Sequence, residues 1–234
     1  MNKKGFNSKL KKLVSSSNVC CSVANWLLRA KRKMSGLRGV KIENNGYGSF
    51  KKDVMGRNNI IQIGKATRIC KSIIRIRGNG NKIVIGKNCK IRKNCSIWIT
   101  GNNCSIVLGD NVTMQHNNHF NVHEDGRCII IGNDCMLSNN IIVRTSDDHG
   151  IFDLSTKKRL NEAKDIKIGN HVWIAPNSRV YKGAVIEDGS IIGSNTLVTK
   201  RVPANTLVCG MPARIVKENI EWQSSLVYHE EEDM

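Results

Sequence analysis

Between Ile168 and Val198 an aliphatic residue recurs at every sixth position: Ile168, Ile174, Val180, Ile186, Ile192 and Val198. Four residues after each of the first five stands a small or β-branched one: Val172, Ser178, Ala184, Ser190 and Thr196. Six is a multiple of the strand period of two, so every member of each set faces the same way along a pleated backbone. The pattern predicts a triangular coil. Each hexapeptide supplies a short strand and a corner, three hexapeptides close a turn, and turns stack as parallel strands about 4.8 Å apart. The aliphatic residue fills the prism, and the small one points inward near a corner where a large side chain would not fit. Aromatics are only 5% of the 234 residues, so such a core must be built from Ile, Val, Leu and small residues.

The same grammar appears upstream with longer turns. Ile85, Leu108 and Ile131 each precede a glycine and are spaced 23 apart, and Ile63-Gly64 opens an earlier copy. Eighteen residues complete a coil, so each upstream coil is expected to carry about five extra residues in one corner, at the turn-rich stretches 78–81, 101–103 and 124–126. Three of the nine cysteines, Cys89, Cys95 and Cys135, occupy the small inward position and read as small hydrophobes. No CxxC occurs, so the thiols read as reduced and the compartment as cytoplasmic.

The count fails once. Ile131 and Ile168 are 37 residues apart, one coil plus nineteen, with Val143 the last residue on the register. Insertions in repeat proteins collect on one face and often form the working site. This one contains Asp147-Asp148-His149-Gly150, then Ile151-Phe152, which are placed to anchor the loop on the coil. An imidazole can take a proton from an alcohol, and an adjacent carboxylate can fix its tautomer; a solvated loop histidine is the plainer alternative.

Periodicity alone leaves the handedness open, and parallel crossovers are generally right-handed. Residues 60–222 nevertheless resemble the hexapeptide-repeat acyltransferases, whose pattern is aliphatic–Gly–x–x–small–x. That resemblance implies a left-handed parallel β-helix. The stretches Ser146-Asp-Asp-His-Gly-Ile-Phe-Asp153 and Ile166-Lys-Ile-Gly-Asn-His-Val-Trp-Ile174 are similar to the sugar and capsule O-acetyltransferases, including those acting on polysialic acid. The resemblance implies His149 as general base and Trp173, 24 residues on, beside acetyl-CoA. Trp173 is an outward position of the repeat, and a subunit contact is its alternative role. The branch usually reads Ser-Asp-Gly-His; here Asp148 replaces the glycine, and Asp147, matching the retained acid, is expected to orient His149.

The segments Val198–Pro203 and Cys209–Val216 resemble the end of the family's β-helix, where CoA is held. This implies Lys200, Arg201 and Arg214 against its phosphates and Gly193 and Gly210 beside the pantetheine arm, with plain surface solvation as the alternative for each cation. The family further implies a homotrimer with acetyl-CoA in a groove between subunits.

The formal charge is +18, and residues 1–41 hold eleven Lys or Arg and no acid. Such a balance suits acidic partners: a glycan, CoA phosphates, an anionic membrane or nucleic acid. No nucleic-acid-binding motif or phosphate-binding Gly-rich loop accompanies the charge. No run of 18 apolar residues is present. Residues 9–34 show helical spacing, expected to cap the first coil, with peripheral attachment to the inner face of a membrane as the alternative; Arg29–Lys33 stands where a signal peptide would need small residues. His116, His119 and His123 sit within one coil, which does not match a metal site drawn from separate coils, and no metal is expected.

The expected organisation is an N-terminal helical cap or linker over 1–45, an all-β left-handed solenoid over 46–216 with an active-site insertion at 144–167, and a tail over 217–234. The expected activity is acetyl-CoA-dependent O-acetylation of a sugar hydroxyl in a surface polysaccharide such as capsule, exopolysaccharide or lipopolysaccharide. N-acetylation of an amino-sugar or nucleotide-amino-sugar, a metal-dependent hydratase resembling the gamma-type carbonic anhydrases, and a non-catalytic scaffold are the other readings.

Overall fold

A computed structural model describes residues 39–227. Of the cap or linker expected over 1–45, residues 1–38 lie outside them. Among the described residues every regular element is a strand, and all strand pairs but the last are parallel. The chain winds a three-sided prism. The first face is an eight-stranded sheet: Val40–Asn44, Asn59–Ile63, Lys82–Ile85, Ser105–Leu108, Cys128–Ile131, Ile166–Ile168, Val185–Ile186 and Arg201–Val202. The other two faces form one fourteen-stranded sheet, because Arg68–Arg77 runs through the corner between them and pairs with Lys90–Ile91 by one half and Ser96–Thr100 by the other. The expected boundary at residue 46 falls inside the first coil, since Val40–Asn44 already pairs with Asn59–Ile63.

The six aliphatic residues from Ile168 to Val198 are buried, and so are all five small partners. Inward columns stack residue on residue across coils. On the third face one column runs Ile74, Ile97, Phe120, Val143, Val180, Val198. Each buried aliphatic side chain contributes roughly 1.5–3 kcal/mol, and the prism interior is filled by little else.

Two local rules set the corners. The third residue after the aliphatic position takes a left-handed backbone in coil after coil, as at Asn88, Asn94, Asn111, Asn117, Asp134, Asn140, Asn177 and Asn195. Asparagine is among the few residues that enter this region readily. From Ile63 to Ile168 the residue directly after the aliphatic position in the first face is glycine for a different reason. A Cβ on Gly86 would lie 2.3 Å from the carbonyl oxygen of Gly109, and one on Gly109 would lie 2.7 Å from that of Gly132. Successive coils touch there through bare backbone. Gly109→Ala is therefore expected to destabilise the chain by about 1–3 kcal/mol, the usual cost of overpacking, read as a lower denaturant midpoint at unchanged slope.

The small inward position carries more chemistry than the sequence showed. Cys89, Cys95 and Cys135 are buried there, and Cys104 is buried just before the strand Ser105–Leu108. Each thiol lies within hydrogen-bond reach of a carbonyl of the next coil: Gly109, Gln115, Gly169 and Glu124 at 3.0–3.2 Å. Thr67, Ser178 and Ser190 do the same with their hydroxyls at 2.6–2.8 Å. Cysteine here is a small donor, interchangeable with serine. Burial pushes the Cys135 thiol up to about 12, which removes its nucleophilicity at neutral pH.

The extra residues of the upstream coils are not confined to a corner. They are shared with the third face, whose strands Ser96–Thr100 and His119–His123 are five residues long, against three for Ile142–Arg144 and Arg179–Tyr181.

Candidate active site

The insertion leaves the prism after Ile142–Arg144 on the third face and returns at Ile166–Ile168 on the first. Its stem is tied down by buried Thr145 and Ser146. Thr145 Oγ1 accepts from His123 N at 3.0 Å and lies 3.1 Å from His123 O. Ser146 Oγ donates to Glu124 Oε1 at 2.9 Å, and both oxygens of Glu124 take the Arg159 guanidinium at 2.5 and 2.8 Å. That guanidinium holds the Glu124 carboxyl below its ordinary range. The tip is a small hairpin whose turn is capped by Asp153, with Oδ1 accepting from Ser155 N and Thr156 N.

Asn161 is the hub. Its Oδ1 accepts from Ile151 N at 2.7 Å, while Nδ2 donates to the His149 carbonyl at 2.8 Å and to Asp147 Oδ2 at 2.9 Å. Lys182 completes the arrangement through Asp147 Oδ2 and the Asn161 carbonyl. The ammonium, then the Asn161 amide, lowers the Asp147 carboxyl from its ordinary range. Asp147 thus reaches His149 through Asn161 and the backbone, with its carboxylate held by Lys182. Asp148 is held by His123 and Arg144. The loop is anchored by polar pins and not by Ile151 and Phe152, which are more than half exposed together with Leu154 and Leu160. The backbone at 149–151 needs its carbonyl and amide satisfied near the prism, and Asn161 does this where apolar contact could not.

The imidazole of His149 is exposed above these pins. Trp173 lies on the second face, outward, in a column with Met136, Ile191 and Leu207, its Nε1 3.4 Å from Ser138 Oγ. Within one chain His149 and Trp173 therefore stand on different sides of the prism. The C-terminal segment supports Trp173 from behind. Trp222 is buried, stacks on His171 at 4.1 Å and lies 6.0 Å from the Trp173 ring. Reciprocal bonds of 2.8 Å join each of His171 and Trp222 to the other's carbonyl.

Lys200, Arg201 and Arg214 do converge. They line one pocket of about 140 Å³ at the end of the solenoid, walled by Leu197, Pro203 and Pro212. Arg201 is paired with Glu187 at 2.7 Å, leaving Lys200 and Arg214 without an acidic partner among the described residues. Gly210 has a left-handed φ of 99°, which favours glycine. The room a Cβ on Gly193 would take is filled by Cys209 Sγ, 2.3 Å from that position, so this glycine serves coil packing. Of the three clustered histidines, His119 bonds Ser96 through Nδ1 at 2.8 Å and His123 bonds Asp148; no group of three metal-ligating side chains is found among the described residues.

The family model for bacterial transferase hexapeptides (six repeats) matches residues 165–200. A polysialic acid O-acetyltransferase of Neisseria meningitidis is 34% identical over 184 residues, which span 75% of this chain and 80% of that protein. The chain belongs to the hexapeptide-repeat sugar and capsule O-acetyltransferases. A second member, a polysialic acid O-acetyltransferase of Escherichia coli, is 40% identical over 103 residues, but the match covers only 34% of its length. The crystal structure of the polysialic acid O-acetyltransferase OatWY superposes with a TM-score of 0.71 at 31% identity, covering 82% of this chain and 90% of that one. The family's winding is left-handed, as the resemblance implied. Asn161, Lys182, Glu124 and Arg159 were not found by sequence reasoning; the partners described above lie 10 to 35 residues away, with no motif to flag them.

Proposed function

We propose that this chain transfers the acetyl group of acetyl-CoA to a hydroxyl of a sugar in a surface polysaccharide, at a site made by adjacent copies in a homotrimer. The observation that carries the reading is the single break in the solenoid, which presents the exposed imidazole of His149 from a backbone pinned on both sides. His149 takes the proton of the acceptor hydroxyl as its oxygen attacks the thioester carbonyl, and returns a proton to the departing thiolate. Backbone N–H groups hold the oxyanion between the two steps. No covalent enzyme intermediate is required, and the buried thiols are poorly placed to form one. His149 and Trp173 lie on different sides of one prism, an arrangement suited to a groove in which one copy supplies the base and its neighbour the tryptophan.

Lys200 and Arg214, without an acidic partner among the described residues, are the cations suited to the CoA phosphates. Replacing both with alanine is expected to raise KM for acetyl-CoA about 5- to 30-fold with kcat changed less, since partly solvated charge contacts contribute about 0.5–1 kcal/mol each and act on binding alone. Among the described residues no helix is long and apolar enough to cross a membrane, and work at the cytoplasmic face suits a cytoplasmic acetyl donor. The deciding assay measures free thiol released from acetyl-CoA against a panel of glycans. Release that depends on a hydroxylated acceptor, with a base-labile ester as product, supports O-transfer. A base-stable amide on an amino-sugar would move the reading to N-acetylation, and activity lost on chelation would move it to metal chemistry.

A further inference from the structure

Asp148 carries a φ of 68°, in the left-handed region that L side chains other than asparagine, aspartate and histidine rarely enter and that glycine enters freely. Its side chain is 34% exposed, yet both carboxylate oxygens are paired. Oδ1 lies 2.5 Å from Nδ1 of His123, at the end of the strand one coil below. Oδ2 bonds the guanidinium of Arg144, on the strand from which the loop departs. Both holders are themselves fixed. The His123 ring meets Trp98 edge-on at 6.2 Å, and Arg144 lies over Tyr181 at 5.8 Å. The backbone N of Asp148 donates to Ser146 Oγ at 3.2 Å. One carboxylate is thus clamped between two coils, and the next residue in the chain is His149, whose carbonyl is pinned in turn by Asn161.

We propose that Asp148 is a positioning residue: by bridging His123 and Arg144 it holds the loop in its left-handed turn and sets the direction in which the His149 imidazole leaves the backbone. The inference rests on the reading of His149 as the base. It requires no contact between Asp148 and substrate, and it assigns His123 and Arg144 a function that metal or surface roles do not explain. Aspartate tolerates this left-handed φ, and the carboxylate's two partners hold it there.

The test compares Asp148→Gly and Asp148→Asn with the parent full-length chain. Glycine relieves the backbone, so a purely structural role predicts equal or greater stability and unchanged activity. The clamp predicts an unchanged or higher Tm, backbone hydrogen exchange across 145–165 accelerated at least about 5-fold, and kcat lowered about 10- to 100-fold with KM for acetyl-CoA within about 3-fold, the signature of a misplaced base. Asparagine, which accepts the turn and keeps one acceptor oxygen, should fall between. Loop exchange and kcat of Asp148→Gly within 2-fold of the parent would overturn the clamp. If His149→Ala is inactive while Asp148→Gly is not, the clamp alone fails. If His149→Ala keeps full activity, the base assignment fails, and exchange measured without substrate still judges the clamp.

Discussion

His149→Ala is expected to lower kcat/KM for acetyl transfer by about 10²–10⁴-fold, the usual contribution of a positioned general base. The fold should be indifferent to the change. The imidazole is exposed, and the interaction that fixes the residue is made by its backbone carbonyl with Asn161, which alanine retains. Surface substitutions of this kind stay within about 0.5 kcal/mol of the parent. A variant with parental Tm and parental loop exchange but little thiol release is the predicted outcome. Loss of Tm together with activity would point instead to a structural role for the loop. Full activity would remove His149 from the mechanism.

Phe120→Ala should be the most destabilising of the substitutions considered, by about 3–5 kcal/mol, because a large buried aromatic leaves a cavity its neighbours cannot fill. Phe120 is fully buried, the bulkiest of the fully buried side chains, and fills the prism between Ile97 of one coil and Val143 of the next. Backbone hydrogen bonds between coils hold the rungs at strand spacing, so the walls cannot collapse inward as a helical core would. Urea unfolding should show a lower midpoint at similar slope. A loss below about 1 kcal/mol would contradict the picture of a filled, rigid interior. Val143 precedes Arg144, so the cavity would also open directly beneath one holder of the Asp148 clamp.

The solenoid was legible in the sequence because one period controls everything about it. Ile168 to Val198 announce the coil, the aliphatic–glycine pairs at Ile63, Ile85, Leu108 and Ile131 carry it upstream, and the failed count between Ile131 and Ile168 locates the loop. What escaped was pairwise and long-range. Arg159 meets Glu124 and Lys182 meets Asp147 across 35 residues, pairings that no local pattern encodes. Ile151 and Phe152 suggested an apolar anchor, yet the structure turns them outward and uses Asn161, because an exposed loop must satisfy its backbone before it can bury a side chain. The lengthened strands of the third face were also hidden, since extra residues in a repeat read alike whether they extend a strand or a corner. Trp222 gave no signal either; its partner His171 lies 51 residues away.

The placement of the loop along the stack has a mechanical consequence. It emerges between the fifth and sixth rungs of the eight-stranded first face. A solenoid contacts only its nearest neighbours, so thermal opening proceeds by fraying inward from the two ends. Three rungs must peel away on one side, or five on the other, before His149 loses its footing. End-fraying therefore reaches the candidate loop well after the pocket of Lys200 and Arg214, which lies on the last described coil. On the proposed roles of His149 and that pocket, donor binding is expected to soften with temperature well before the chemistry does.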